Sequence, residues 1–327
     1  MKKEELLRRF GSVWAASGML GFFGEGYRYQ EPLKRLIPGY ERALRAITFA
    51  AKTATADKTT GNMPLEKDGI TPQEVRPKCV KLGWWQALWG VALNAVGLSN
   101  IGIRRLLEKN EWQSRTEPFM ISVTAVKREW AQRLVEMSEI AHAIRTLLKV
   151  LMVPIALQLN VSCPNTKHGT ARSAFVVETL SFLDILAKLN IPIFVKINAL
   201  TRVEDMAIIA QHPACAGIIV SNTLPWAEVP KWMRILFFGS TTSPLAHLGG
   251  GGLSGWPLRR RVNRWIREAR KAGIKTHINA GGGIFGPLGV WSAYRAGADS
   301  ISLGIISSVR PWMLWPTVAF AHWLFDC

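Results

Sequence analysis

Short apolar, β-branched runs recur along the chain at 13–17, 47–52, 119–123, 153–160, 192–196, 217–222, 274–279 and 300–303. Each is strand-length and ends in glycine, proline or polar residues, the pattern of a buried β-strand. Between most of them lie longer segments whose apolar positions recur at helical spacing, clearest over 127–150, 174–189, 257–272 and 287–296. Parallel strands need crossover helices, so an alternation repeated eight times predicts an α/β chain closed as a (β/α)8 TIM barrel. The reading is of a single barrel domain over 1–327. The gap between the second and third strands exceeds one crossover helix, and its Gly-, Pro- and Trp-bearing residues, 53–117, read as a lid or insertion within the barrel. Residues 1–10, MKKEELLRRF, read as a short helix leading into the first strand.

Polar residues gather where these strands end. Ser17, Lys52, Asn160, Lys196 and Asn222 sit at or just beyond carboxyl ends, the rim at which barrel enzymes do chemistry. A lone strand-end lysine is ordinarily a solvated cap; two lysines with amides and a thiol on one rim predict a polar site. The most concentrated stretch is LQLNVSCPNTKHG, 157–169, where an apolar strand runs into Asn160, Ser162, Cys163 and Asn165. Buried polar groups cost free energy unless something binds them. Cys163 is therefore a candidate catalytic cysteine flanked by amides able to read a planar heterocycle, the alternative being an inert packed thiol. The glycines 281–283 and Gly304 follow the last two strands, where side-chain-free turns let backbone N–H groups approach a phosphate.

Composition narrows this reading. The 41 Lys and Arg against 23 Asp and Glu give +18, a surface that attracts nucleic acid, anionic lipid, an acidic partner or anionic substrates. The four cysteines are widely spaced and match no zinc or iron–sulfur pattern, so no metal site is expected and a cytoplasmic setting is. No uninterrupted run of about 18 apolar residues occurs, so no spanning helix is expected.

Taken together, the motifs resemble the dihydroorotate dehydrogenase family. They are AASGMLGF (15–22), AKTAT (51–55), GN (61–62), LNAVGLSNIG (93–102), LNVSCPN (159–165), VKIN (195–198), VSNTL (220–224), GGLSG (251–255), AGGGI (280–284) and SLG (302–304), in the family's order along nearly the whole chain. The resemblance implies a flavin-mononucleotide (FMN) barrel oxidising dihydroorotate to orotate. It implies flavin contacts from Ser17, Lys52, Thr53, Ser122, Asn160, Lys196, Ser221, Gly255, Gly282, Gly283, Gly304 and Ile305. Substrate contacts would come from Lys52, Asn94, Ala95, Val96, Gly97, Leu98, Asn160, Asn165, Asn222 and Thr223. Cys163 would take the C5 proton while hydride leaves C6 for the flavin, and Lys52 would stabilise the reduced, anionic flavin. Cysteine at the base position and the TKHG that follows resemble the class 1 enzymes, most closely the NAD-linked branch. The implied partner is a second copy of the chain or an electron-transfer subunit carrying FAD and an iron–sulfur cluster.

The chain also departs from the family pattern. Met63-Pro64-Leu65 follow Asn62 in place of the usual Pro-Arg, about fourteen extra residues within the Trp- and Lys-rich stretch 74–89 precede the substrate loop, and Ile305 stands where Thr or Ser is common. The charge and the 14 tryptophans are also unusual. A tRNA dihydrouridine synthase shares an Asn…Cys-Pro loop and a basic surface, but the sequence fits GGLSG and the 94–98 loop better to the dihydroorotate enzymes and leaves little room after the last strand for an RNA-binding domain. An oxidoreductase of uncharged dihydropyrimidines and a non-catalytic flavin-binding scaffold are the remaining alternatives. The arginines of 259–271 are expected on the solvated face of a barrel helix whose apolar side is Val262, Trp265, Ile266 and Ala269, the alternative being a docking face for an acidic partner subunit or a membrane surface. Trp312, Trp315 and Trp323 are expected to pack the last helix rather than line a quinone tunnel.

Overall fold

The structure is a computed structural model describing residues 3–161, 172–220 and 222–326. A helix over Lys3–Phe10 leads into β1 (Val13–Ala15), as expected. In chain order the other strands are β2 (Val80–Lys81), β3 (Val91–Asn94), β4 (Phe119–Val123), β5 (Ile155–Asn160), β6 (Ile193–Ile197), β7 (Cys215–Val220), β8 (Leu224–Pro225), β9 (Gly252–Gly255), β10 (His277–Gly281) and β11 (Ser300–Leu303). Seven form one parallel sheet in the order β1-β11-β10-β7-β6-β5-β4. The eighth position is taken by the segment predicted as the second strand, 47–52. It forms isolated parallel bridges, Trp14 to Thr48 on one side and Ala50 to Met120 on the other. Paired backbone bonds accompany them: Ala15 N to Thr48 O at 2.8 Å, Thr48 N to Val13 O at 2.9 Å, Ala51 N to Met120 O at 2.8 Å and Met120 N to Phe49 O at 2.9 Å. This segment closes β1 onto β4, making the sheet a TIM barrel.

The helices cover the outside. Trp130–Leu148, Arg172–Ala187, Leu258–Lys271 and Pro287–Ala296 match the expected helices to within a few residues. Inside the barrel floor, Trp14 stacks on His277 at 5.4 Å and meets Phe194 edge-on at 4.8 Å. A Cβ at Gly217 would lie 2.7 Å from the Phe194 ring, so only glycine leaves room for that layer.

The insertion supplies an element the hydrophobic pattern did not reveal. β2 and β3 join β9 and β8 in a four-stranded antiparallel sheet, order β2-β3-β9-β8. Leu93 pairs with Leu253 and Asn94 with Gly252. Strands this short carry no readable alternation, and their pairing is decided by residues far apart in the chain. Gly255 has φ 127°, and a Cβ there would overlap the Gly90 carbonyl oxygen. Glycine is thus required for β9 to lie against β3. Among the described residues no helix is long and apolar enough to cross a membrane.

Candidate active site

A cavity of about 1510 Å³ is lined by residues at the carboxyl ends of the barrel strands and by residues of the small sheet. Of the sequence-predicted residues it gathers Ser17, Lys52, Thr53, Asn94, Ala95, Val96, Gly97, Leu98, Asn160, Lys196, Asn222, Thr223, Gly255, Gly282, Gly283, Gly304 and Ile305. Ser122 is fully buried behind this wall and is coupled to it through Thr53, whose hydroxyl lies 2.8 Å from its own. Cys163, Asn165 and Ser221 lie outside the described residues.

Asn160 is a register partner of Lys196 across β5 and β6, so their side chains emerge together on the inner face. Asn160 Nδ2 donates to Thr53 Oγ1 at 3.3 Å, and Thr124 Oγ1 donates to the Asn160 carbonyl at 2.7 Å. Lys196 Nζ donates to Ser17 Oγ at 2.8 Å, joining the ends of β6 and β1.

Lys52 reaches the cavity from the closing segment. Its ammonium donates to the Ser99 carbonyl at 2.6 Å and lies 5.0 Å from the Phe22 ring centroid. Phe22 is placed by Glu25, whose carboxylate accepts from the backbone N–H groups of Phe22 at 3.0 Å and Phe23 at 2.7 Å. Burial lowers the Lys52 pKa to about 8, with Cys79 and Glu25 pulling the other way, and burial alone lowers Lys196 to about 8. Neither lysine forms an ion pair among the described residues. Two buried ammonium groups without a protein counter-ion are costly unless the cavity receives an anion.

The 94–98 loop is held from beneath by residues that sequence reading did not single out. Asn100, 1% exposed, accepts from Gly102 N at 2.8 Å and donates through Nδ2 to Leu98 O at 2.7 Å and Thr59 Oγ1 at 2.6 Å. Thr59 in turn donates to the Leu98 carbonyl. These bonds hold Leu98 at φ 62°, a left-handed conformation uncommon for leucine. Asn62 fixes the other side of the loop, Nδ2 to Ala95 O at 2.7 Å and backbone N to Val96 O at 2.8 Å. Asn198, also lining the cavity, donates to the Thr223 carbonyl at 2.6 Å and so positions the loop after β7. The available signal was a Ser-Asn pair and an Asn inside otherwise apolar motifs, which does not distinguish ligand contact from loop support.

The glycines after β10 line the cavity in a turn that only glycine accommodates. Gly282 and Gly283 have φ 87° and 79°, and a Cβ on Gly283 would overlap the Arg259 backbone N. The turn therefore presents bare backbone to the cavity. The bare turn, the two ammonium groups without an ion-pair partner among the described residues and the buried amides suit a ligand with a phosphate at one end and a polar heterocycle at the other, as FMN has. Elsewhere, Val262, Trp265, Ile266 and Ala269 are buried as expected, while Arg270 turns inward to the carbonyls of Gly297, Ile274 and Thr276 and to Asp299. Of the late tryptophans, Trp315 packs beneath Arg42 at 4.1 Å, whereas Trp312 and Trp323 remain exposed because the last helix buries Leu314, Thr317, Val318 and Ala321 instead.

Residues 73–311 match the family model "Dihydroorotate dehydrogenase". The chain is 30% identical over 229 residues to the "Dihydroorotate dehydrogenase B (NAD(+)), catalytic subunit" of Geobacillus sp., covering 68% of this chain and 67% of that protein. It is 28% identical over 223 residues to the "Dihydroorotate dehydrogenase A (fumarate)" of Lactiplantibacillus plantarum, covering 67% and 68%. The fold is also that of the dihydroorotate dehydrogenase of Eimeria tenella solved with ferulenol, with TM-score 0.65 and 19% identity over 96% of this chain and 81% of that one. On the family match and the Geobacillus relative, this chain belongs to the dihydroorotate dehydrogenase family of oxidoreductases, within its class 1 branch.

Proposed function

We propose that this protein oxidises dihydroorotate to orotate in pyrimidine biosynthesis with FMN in the large cavity. The observation that carries the reading is the pair of buried ammonium groups, Lys52 and Lys196, which line the cavity without an ion-pair partner among the described residues, with Asn160 next to Lys196 in register. FMN bound there supplies the acceptor for the hydride leaving substrate C6. Gly282, Gly283, Gly304 and Ile305 hold the phosphate; Ser17, Thr53, Asn160, Lys196, Ser221 and Gly255 hold the rest of the cofactor, with Ser122 acting through Thr53. Lys52 holds negative charge at the pyrimidine end and, with the 94–98 loop, the substrate carboxylate.

Asn160, Asn165, Asn222 and Thr223 read the alternating carbonyl and N–H edge of the dihydropyrimidine, because a ring of the wrong pattern leaves these amides unpaired. Cys163 follows β5 by three residues and takes the C5 proton as its thiolate. The C5–C6 double bond forms as that proton and the C6 hydride leave. A free thiol ionises near pH ~8.5, and a cationic setting brings it within working range.

The test is an anaerobic titration of the flavin-loaded protein with L-dihydroorotate, followed in the flavin band near roughly 450 nm. Bleaching is expected. A flavin that stays oxidised with dihydroorotate but bleaches with an uncharged dihydropyrimidine overturns the substrate assignment. Reoxidation of the bleached protein by fumarate assigns the fumarate-linked type; inertness to fumarate leaves a quinone or an electron-transfer subunit with FAD and an iron–sulfur cluster as the acceptor.

A further inference from the structure

A second cleft, about 700 Å³, lies on the outer side of the Gly283 turn, between the insertion and the helix Pro287–Ala296. Its walls include Leu88, Trp89, Leu288 and Met313 with two cations, Arg259 and Arg310. Neither arginine side chain has an ion-pair or hydrogen-bond partner among the described residues; Arg310 only rests over the Phe285 ring at 5.8 Å. The Trp89 indole N–H is buried without an acceptor.

The rim of this cleft is unusually apolar. The helices Trp84–Trp89 and Lys231–Phe238 pack together through Trp85 Nε1 to Leu236 O at 2.8 Å, Gln86 Nε2 to Phe237 O at 2.7 Å and the Trp89–Phe237 ring contact. That packing turns Trp85 and Trp89 inward and leaves Trp84, Leu88, Trp232 and Ile235 in water. Trp84 is 78% exposed, and Leu288, across the cleft from the insertion, is 79% exposed. Large apolar groups left in water in a cluster mark an interaction surface.

The charge around them has one sign. No Asp or Glu occurs between Glu74 and Glu108, between Glu228 and Glu268, or between Asp299 and Asp326. These stretches build both helices, the cleft's arginines and the exposed Arg260 and Arg261. We propose that this face docks on an anionic lipid bilayer, its Trp and Leu side chains entering the interfacial layer while Arg259 and Arg310 take a lipid phosphate in the cleft.

Tryptophan and aliphatic groups beside unpaired cations are the composition that such an interface favours. A second copy placed by two-fold symmetry would set this cationic face against itself. A nucleic-acid backbone offers no partner to exposed Leu88, Leu288 and Ile235. Docking here would also place the outer side of the Gly283 turn against the membrane surface.

The experiment is flotation of the flavin-loaded full chain with vesicles of phosphatidylcholine alone or of equal parts phosphatidylcholine and phosphatidylglycerol. Flotation with the anionic vesicles only is expected. The double variant L88E/L288E should weaken it at least about tenfold while its flavin absorbance and thermal transition stay as in the parent. W84A/W232A, a milder change, should weaken it in the same direction, and R259Q/R310Q should remove the preference for phosphatidylglycerol. Absence of flotation with either vesicle overturns the proposal. So does flotation unchanged in L88E/L288E, which would place binding on the exposed arginines alone, or a dimer in sedimentation that L88E/L288E dissociates, which would make the face a contact between copies. Flavin content is read in every sample, so these outcomes are separate from success or failure of the dihydroorotate titration.

Discussion

The Lys52 ammonium donates to the Ser99 carbonyl at 2.6 Å, binding the segment that closes the barrel to the loop that follows β3. The same side chain lines the main cavity, so a ligand that draws on its charge also loads the loop. A hydrogen bond to a charged donor in a buried setting is stronger than its neutral counterpart. The rim and the insertion therefore act as one unit through this contact.

Burial sets a sign for the pH dependence of the flavin-free protein. Lys52 and Lys196 have folded pKa values of about 8 against 10.5 for the free side chain. Between those values the unfolded chain holds more protons than the folded one, so stability rises with pH by up to about 3 kcal/mol per lysine and is flat below pH ~8. Lys196→Met should remove its share of that slope, read by urea unfolding at about pH 7.5 and pH 10. Equal slopes in the variant and the parent would refute the attribution. Added FMN should flatten the slope, since hydrogen bonds from the lysines to the bound cofactor favour their charged forms.

Asn100→Ala should destabilise the fold by about 1–3 kcal/mol for each group it leaves unpaired and raise the KM for dihydroorotate at least tenfold. The flavin content should hold, because Asn100 supports the 94–98 loop rather than the glycine turn after β10. Loss of flavin with an unchanged KM would show that the loop does not serve the substrate.

Gly283→Ala places a methyl group against the Arg259 backbone at a positive φ. Flavin affinity should fall by at least about tenfold, given a strain of roughly 1–3 kcal/mol at the phosphate end of the site. Fluorescence of released flavin measures it directly. Gly239→Ala, at φ 71° with open space around it, is the control for strain alone.

Cys163→Ala should keep its bound flavin and lose at least about a hundredfold in the rate of flavin bleaching by dihydroorotate, the usual worth of a positioned base. Cys163→Ser should retain part of the rate, with its optimum moved to higher pH. Bleaching at the parent rate in Cys163→Ala would remove this residue from the base role.

Much of the barrel was legible from local pattern. β4 and β11 fall at 119–123 and 300–303 as predicted, because both are apolar runs bounded by clear breakers. β7 begins and ends two residues earlier than predicted, since Cys215 and Ala216 lack the β-branched signal that starts at Ile218. The segment 47–52 lay where expected, but it holds its place by alternating bonds to two neighbours rather than by a regular ladder. Lys52, Asn160 and Lys196, picked out as polar groups at the ends of apolar strands, all line the large cavity.

The sequence alone determined the alternation of strands and helices, the polar residues at the strand ends and the motifs that mark the family, because each is written in spacings of a few residues. Only the tertiary structure decided that β3 pairs with β9, that Lys196 meets Ser17, that Asn100 carries the Leu98 turn and that Leu88 and Leu288 border one cleft. Those contacts join positions tens to hundreds of residues apart. Their stability comes from burial and hydrogen bonding that exist only once the chain has closed on itself, so no local pattern encodes them.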